Sequence, residues 1–119
     1  MATNSLHDIL VIKIRHPLSD DYTICIAKRE SRAELNFMSD RIAGYAKLEI
    51  NASQQFTAKT AAGVAYKTLG WVDCSFRLKQ QGTDYLARDY LARFTIIPDH
   101  VAPGDMCLGQ PFLKDAQLM

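Results

Sequence analysis

From Trp71 to Leu78 the chain reads WVDCSFRL, an unbroken alternation that puts Val72, Cys74, Phe76 and Leu78 on one face and Asp73, Ser75 and Arg77 on the other. Side chains switch sides at every residue of an extended chain and not of a helix, so this octet specifies a strand with its apolar face inward. Such a strand needs neighbours to pair with, and the sequence supplies them. Asp8–Ile14 (DILVIKI) is rich in β-branched residues and stops where Pro17 and a Ser-Asp-Asp cluster signal a turn. Tyr22–Ala27 (YTICIA) separates Tyr22, Ile24 and Ile26 from Thr23 and Cys25, which suits a hairpin partner for the first strand. Arg93–Ile97 adds a strand ended by Pro98, which has no donor for a ladder.

Weaker signals fill the gaps. Phe56–Lys59 and Val64–Tyr66 flank Thr60, Ala61, Ala62 and Gly63, a small-residue tip that predicts a mobile hairpin with Gly63 free to take positive φ. Lys79–Tyr90 is polar and reads as a loop with a helical turn over Asp84–Tyr90. Ala33–Leu48 is mixed: Ser39-Asp40 suits the cap of a short helical turn carrying Ile42, Ala43 and Ala46, while Gly44 and Leu48 break the period. Pro111 suits a first helical position and predicts a helix over Pro111–Leu118. The expectation is an all-β fold, a small closed barrel or sandwich with one short C-terminal helix, forming a single domain over residues 1–119.

Composition removes several function classes. With 14 basic and 13 acidic residues the formal charge is +1, so no basic field recruits nucleic acid. The apolar runs are far shorter than the roughly 20 residues that span a bilayer, and the polar Met1–Asp8 is no signal peptide. Cys25, Cys74 and Cys107 are odd in number, form no CxxC pair and lie in apolar runs; they read as reduced core thiols of an intracellular, cytoplasmic protein. His7, His16 and His100 stand apart from any ligand-spaced Cys or carboxylate, so neither a metal nor another cofactor is expected. There is no Gly-x-Ser-x-Gly elbow and no phosphate-binding Gly loop. Trp71, beside Gly70 at a strand start, is expected in the core or at a dimer interface rather than as a ligand platform.

Three segments, in order and spacing, resemble the retropepsin-like aspartic proteases of retroviral type, especially the retroelement-derived versions in fungal genomes. Ile24–Ser39 (ICIAKRESRAELNFMS) resembles the active-site segment, in which an apolar strand enters Asp-Thr/Ser-Gly-Ala. Aligning Ala33–Ser39 puts Glu30, Ser31 and Arg32 on the catalytic triplet. Lys59–Leu78 resembles the flap hairpin, with Thr60, Ala61, Ala62 and Gly63 at its peptide-facing tip, and the strand after it. Arg93–Leu113 resembles the closing strand, loop and apolar-apolar-Gly element, here Cys107, Leu108 and Gly109, leading into the terminal helix. The resemblance implies a closed acid-protease barrel and a homodimer in which each chain supplies half an active site, gripping an extended peptide by strand addition.

Aspartic proteolysis needs two carboxylates sharing one proton, one as general base on water and the other as acid toward the carbonyl. Glu30 carries the right group on a stem one methylene too long, and a misplacement of about 1 Å costs on the order of a hundredfold in rate. Ser31 retains the hydroxyl that braces the triplet across the dimer. Arg32 replaces a Gly that lets the backbone approach the carboxylates, and its guanidinium favours their ionised form. Glu30 and Arg32, two apart in an extended segment, are also expected to form a solvated ion pair. Asp73 points outward from its strand and Asp20-Asp21 sit in a turn, so neither replaces the missing Asp. The leading expectation is a catalytically degenerate, homodimeric dimerisation or peptide-binding module. The alternative is a weak or unusual aspartic endopeptidase using Glu30 from each subunit, and a triplet altered to stop self-cleavage is a third.

Overall fold

The computed structural model describes residues 9–118. Met1–Asp8 lies outside the described residues, and with it His7, the polar N-terminal segment and the first residue of the expected opening strand. The strands are β1 (Ile9–Arg15), β2 (Tyr22–Glu30), β3 (Phe37–Ser39), β4 (Thr57–Lys59), β5 (Ala65–Lys67), β6 (Gly70–Gln80), β7 (Tyr90–Ile97) and β8 (Met106–Gly109). Among the described residues two α-helices, α1 (Asp40–Tyr45) and α2 (Gln110–Asp115), and a 3-10 turn at Asp99–Val101 accompany them. Six strands close a barrel in the order β1-β2-β8-β3-β7-β6, with β6 pairing back onto β1. β2 with β8, and β3 with β7, run parallel, and the remaining pairs are antiparallel. β4 and β5 form a separate hairpin.

β6 follows the expected alternation along its length, with Val72, Cys74, Phe76 and Leu78 buried. β1 buries Leu10, Ile12 and Ile14 and turns Val11 and Lys13 outward. On β2 it is the small residues, Cys25 and Ala27, that enter the barrel, while Ile24 and Ile26 face outward. Inside the barrel they meet the parallel neighbour β8, where Met106 pairs with Ala27 and its Sδ stands 3.2 Å from Cys25 Sγ. All three cysteines are free and buried. Phe76 anchors the opposite end, its ring 5.8 Å from Tyr90, 5.8 Å from Phe94 and 5.6 Å from Phe112.

The mixed stretch Ala33–Leu48 resolves into β3 and α1, the short helical turn expected after Ser39-Asp40, so the fold carries this helix besides the C-terminal one. Ser39 Oγ accepts the Arg41 backbone N–H and caps α1, and Lys47 at φ 58° ends the turn. No helical turn forms over Asp84–Tyr90; β6 continues to Gln80 and β7 begins at Tyr90, because Tyr90 pairs with Phe76 and stacks on it. The terminal helix is shorter than the expected Pro111–Leu118, since Gln117 takes φ 59° and the Leu118 N–H turns back to the Leu113 carbonyl. Among the described residues no helix is long and apolar enough to cross a membrane.

Candidate functional site

β2 ends at Glu30, directly opposite Gly109 of the parallel strand β8. The chain then turns: the Ala33 N–H donates to the Glu30 carbonyl at 3.0 Å, and Ser31 and Arg32 occupy the exposed bend. Glu30 and Arg32 are therefore not on one face of an extended segment, and they make no ion pair among the described residues. Three bonds fix the loop after the turn. The Gln110 N–H donates to the Ala33 carbonyl at 2.8 Å, the Gly109 N–H to Asn36 Oδ1 at 2.7 Å, and Asn36 Nδ2 to the Arg93 carbonyl at 3.0 Å. Asn36 thus ties the bend to both β8 and β7. Sequence reading treated it only as part of a motif, although an amide amid an apolar run is itself a signal of such a tie.

Opposite this floor stands the β4–β5 hairpin. Its base is held by a reciprocal pair, Phe56 N–H to Thr68 Oγ1 at 2.9 Å and Thr68 N–H to the Phe56 carbonyl at 2.8 Å. Its tip closes through Thr60 N–H to the Val64 carbonyl and Gly63 N–H to the Thr60 carbonyl, with Gly63 at φ 86°. Between hairpin and floor lies a cavity of about 370 Å³. Glu30, Ala33, Phe37 and Cys107 form its floor, Ala58, Lys59, Thr60, Ala61 and Tyr66 its roof, and Val101 and Pro103 a side wall. One residue of the triplet segment, two of the hairpin tip and one of the apolar-apolar-Gly element thus meet in one cavity. Ser31, Arg32, Ala62, Gly63, Leu108 and Gly109 are not among its lining residues.

The side wall is pinned by charge. Ser39 Oγ donates to Asp99 Oδ1 at 2.8 Å, and Arg41 spans Asp99 at 3.2 Å and Asp105 at 2.9 Å. The Ser39 hydroxyl first, and Arg41 second, hold the Asp99 carboxyl below the usual carboxylate range. Burial raises the Cys107 thiol, and the nearby Glu30 charge raises it further, so Cys107 stays a neutral thiol beside the carboxylate. Burial likewise raises the Tyr66 phenol, which keeps its proton and can donate it in a hydrogen bond.

A second cavity of about 320 Å³ adjoins the same loop and hairpin arm, lined among others by Glu34, Leu35, Phe56, Trp71, Arg93 and Phe112. Trp71 stands here half-buried, not in the core: its Nε1–H donates to Ser53 Oγ at 3.2 Å, and the Arg93 guanidinium stacks 3.7 Å from its ring centre. Arg93 is fixed in turn by two bonds to Asp73, at 2.9 and 3.0 Å. Asp73 faces outward, as its alternation requires, and serves this pair. Among the described residues no three His, Cys, Asp or Glu side chains converge as a metal site.

No protein-family profile matches the chain, and no curated protein matches it in sequence. The architecture does have a solved counterpart, the crystal structure of the retroviral protease-like domain of Ddi1 from Leishmania major. It superposes with a TM-score of 0.51 at 18% identity, over 92% of this chain and 76% of that one. The fold is retropepsin-like. Here the bend after β2, the hairpin over it and Cys107 of β8 line one cleft, and Glu30 is the one carboxylate among its lining residues.

Proposed function

We propose that the chain is a homodimeric, retropepsin-like peptide-binding module that has lost proteolysis. The observation that carries this reading is the triplet position itself: Glu30, one methylene longer than Asp, lines the cleft, while Ser31 and Arg32 stand on the exposed bend outside its lining. A cavity of this size lies in the range of ligand sites, and its surface is apolar with a few polar groups, Glu30, Lys59, Thr60 and Tyr66, placed around it.

Two-carboxylate chemistry needs a second copy of the chain, since one protomer offers only Glu30 to the cleft. Bringing two bends together across a dyad also brings two Arg32 guanidinium groups beside two Glu30 carboxylates. That arrangement suits an electrostatically stitched interface, and it crowds with cations the axis where aspartic proteolysis places its paired carboxylates. The second reading, a weak endopeptidase using Glu30 from each subunit, is favoured by one fact: Glu30 lines the cleft and makes no ion pair among the described residues.

One experiment separates them. The native chain and a Glu30→Asp, Arg32→Gly double variant are incubated with a peptide library from acid to neutral pH, and both are sedimented to obtain their mass. The expected result is a dimer that cuts nothing in its native form, with cleavage by the double variant. Cleavage by the native chain establishes the second reading, and a native monomer that binds no peptide overturns both.

A further inference from the structure

Because Cys25 and Ala27 fill the barrel side of β2, its large residues look outward: Ile24 is 62% exposed, Ile26 51% and Tyr22 45%. Single exposed aliphatics are ordinary, whereas a contiguous row on a strand face marks a contact surface. The register widens it. Val11 of β1 stands opposite Ile26, and Lys13 opposite Ile24. One strand further, Lys79 of β6 stands opposite Val11, and Arg77 opposite Lys13. With strands about 4.8 Å apart, an apolar stripe on β2 runs beside a cationic stripe on β1 and β6.

The lysines of this stripe are positioned by rings. Lys13 Nζ lies 4.4 Å from the Tyr22 ring centre and 5.4 Å from that of Tyr85, and Lys79 Nζ lies 4.9 Å from Tyr85. Neither lysine makes an ion pair among the described residues, whereas Arg77 is paired with Asp89 at 2.8 Å. Arg77, directly opposite Lys13, is thus already neutralised, and among the described residues Lys13 and Lys79 are the cations of this face left to meet a docked anion.

We propose that this face docks an amphipathic helix of a partner protein, one whose aliphatic stripe is flanked by Asp or Glu. A helix with its side chains is roughly 10 Å across, the width of two inter-strand gaps. Its aliphatic ridge rests on Ile24 and Ile26 while its carboxylates reach Lys13 and Lys79. A second copy is not complementary, because its matching face offers the same Lys13 and Lys79, and the carboxylate beside its Ile26, Asp105, is already held by Arg41. An anionic membrane presents the same charge, and binding to vesicles distinguishes it from the helix. No residue of this face lines the cleft cavity, so the surface works independently of whether the cleft binds peptide.

Two synthetic helices of about 20 residues, long enough to hold helical structure, share a Leu stripe and differ in its flanks, Glu in one and Lys in the other. Each is titrated into the full-length, isotope-labelled chain, and phosphatidylserine vesicles are tested in parallel. The Glu-flanked helix is expected to bind about tenfold or more tighter than the Lys-flanked one, to shift amides of β1 and β2, and to weaken as salt rises. Ile24→Asp is expected to weaken it about tenfold, and Lys13→Glu with Lys79→Glu to reverse the preference between helices. Equal affinity for the two helices, shifts confined to the β4–β5 hairpin, or binding to vesicles alone overturns the proposal. The amide map is read on the unsubstituted chain, so it stands even where a variant fails to fold.

Discussion

Two backbone carbonyls crowd the place where Gly109 has no side chain. A Cβ there would stand 2.5 Å from the Leu35 carbonyl oxygen and 2.9 Å from that of Ala33, and both belong to the loop that shapes the cleft floor. These are backbone atoms and cannot swing aside, so Gly109→Ala is expected to cost about 2 kcal/mol or more, read from urea unfolding, and to disturb peptide binding at the same time. The thiols make a second residue-scale test. Burial pushes Cys25 and Cys74 up to about 12, so neither is a thiolate at pH 8 in the folded chain. With a thiol-specific reagent, Cys25 and Cys74 are expected to label only on unfolding. Cys107, which lines the cleft, is expected to label first and to be protected by a bound peptide.

Among the elements, α2 and β7 depend on one aromatic cluster. Phe76 is buried and touches Tyr90, Phe94 and Phe112, and Tyr90 and Phe112 stand 5.5 Å apart edge to face. Truncating Phe76 removes the centre of that cluster, and Phe76→Ala is expected to cost about 3–5 kcal/mol. Natural domains hold only about 5–15 kcal/mol in all, so the loss is large, and calorimetry against the native chain measures it. The β4–β5 hairpin contrasts with this: its strands pair only with each other, and the Phe56–Thr68 pair ties its base. Thr68→Val keeps the shape and removes the oxygen that accepts the Phe56 N–H. Faster hydrogen exchange in β4 and β5, with little change in global stability, is the expected outcome.

At the scale of the whole molecule, three carboxyls among the described residues are held below their ordinary range by hydrogen bonds: Asp73 by Arg93, Asp89 by Arg77, and Asp99 by Ser39 and Arg41. A carboxyl depressed in the folded state binds fewer protons there than in the unfolded chain. Its contribution is therefore present above the unfolded value of about 4 and lost as pH falls through the folded one. Melting temperature is expected to hold at neutral pH and drop below about pH 4, less steeply in Asp99→Asn. High salt should shrink the effect, because these carboxylates are exposed to solvent.

Period-two alternation determined much of this molecule before any fold was known. Trp71–Leu78 could bury only one set of residues, and the structure buries that set. Ser39 announced a cap and Gly63 a left-handed tip, because both requirements are local. Nothing local told which face of β2 enters the barrel: Tyr22, Ile24 and Ile26 are the more apolar set, yet the register with β1 and β8 turns Cys25 and Ala27 inward, against Met106. Trp71 likewise left the core because Arg93 and Ser53, far apart in sequence from each other, converge on it. Glu30 and Arg32 were two charges in a row until the bend closed by Ala33 turned one into the cleft and left the other outside its lining. Alternation is a property of neighbours along the chain, whereas the available space inside a closed barrel is set by strands that meet only once the chain has folded.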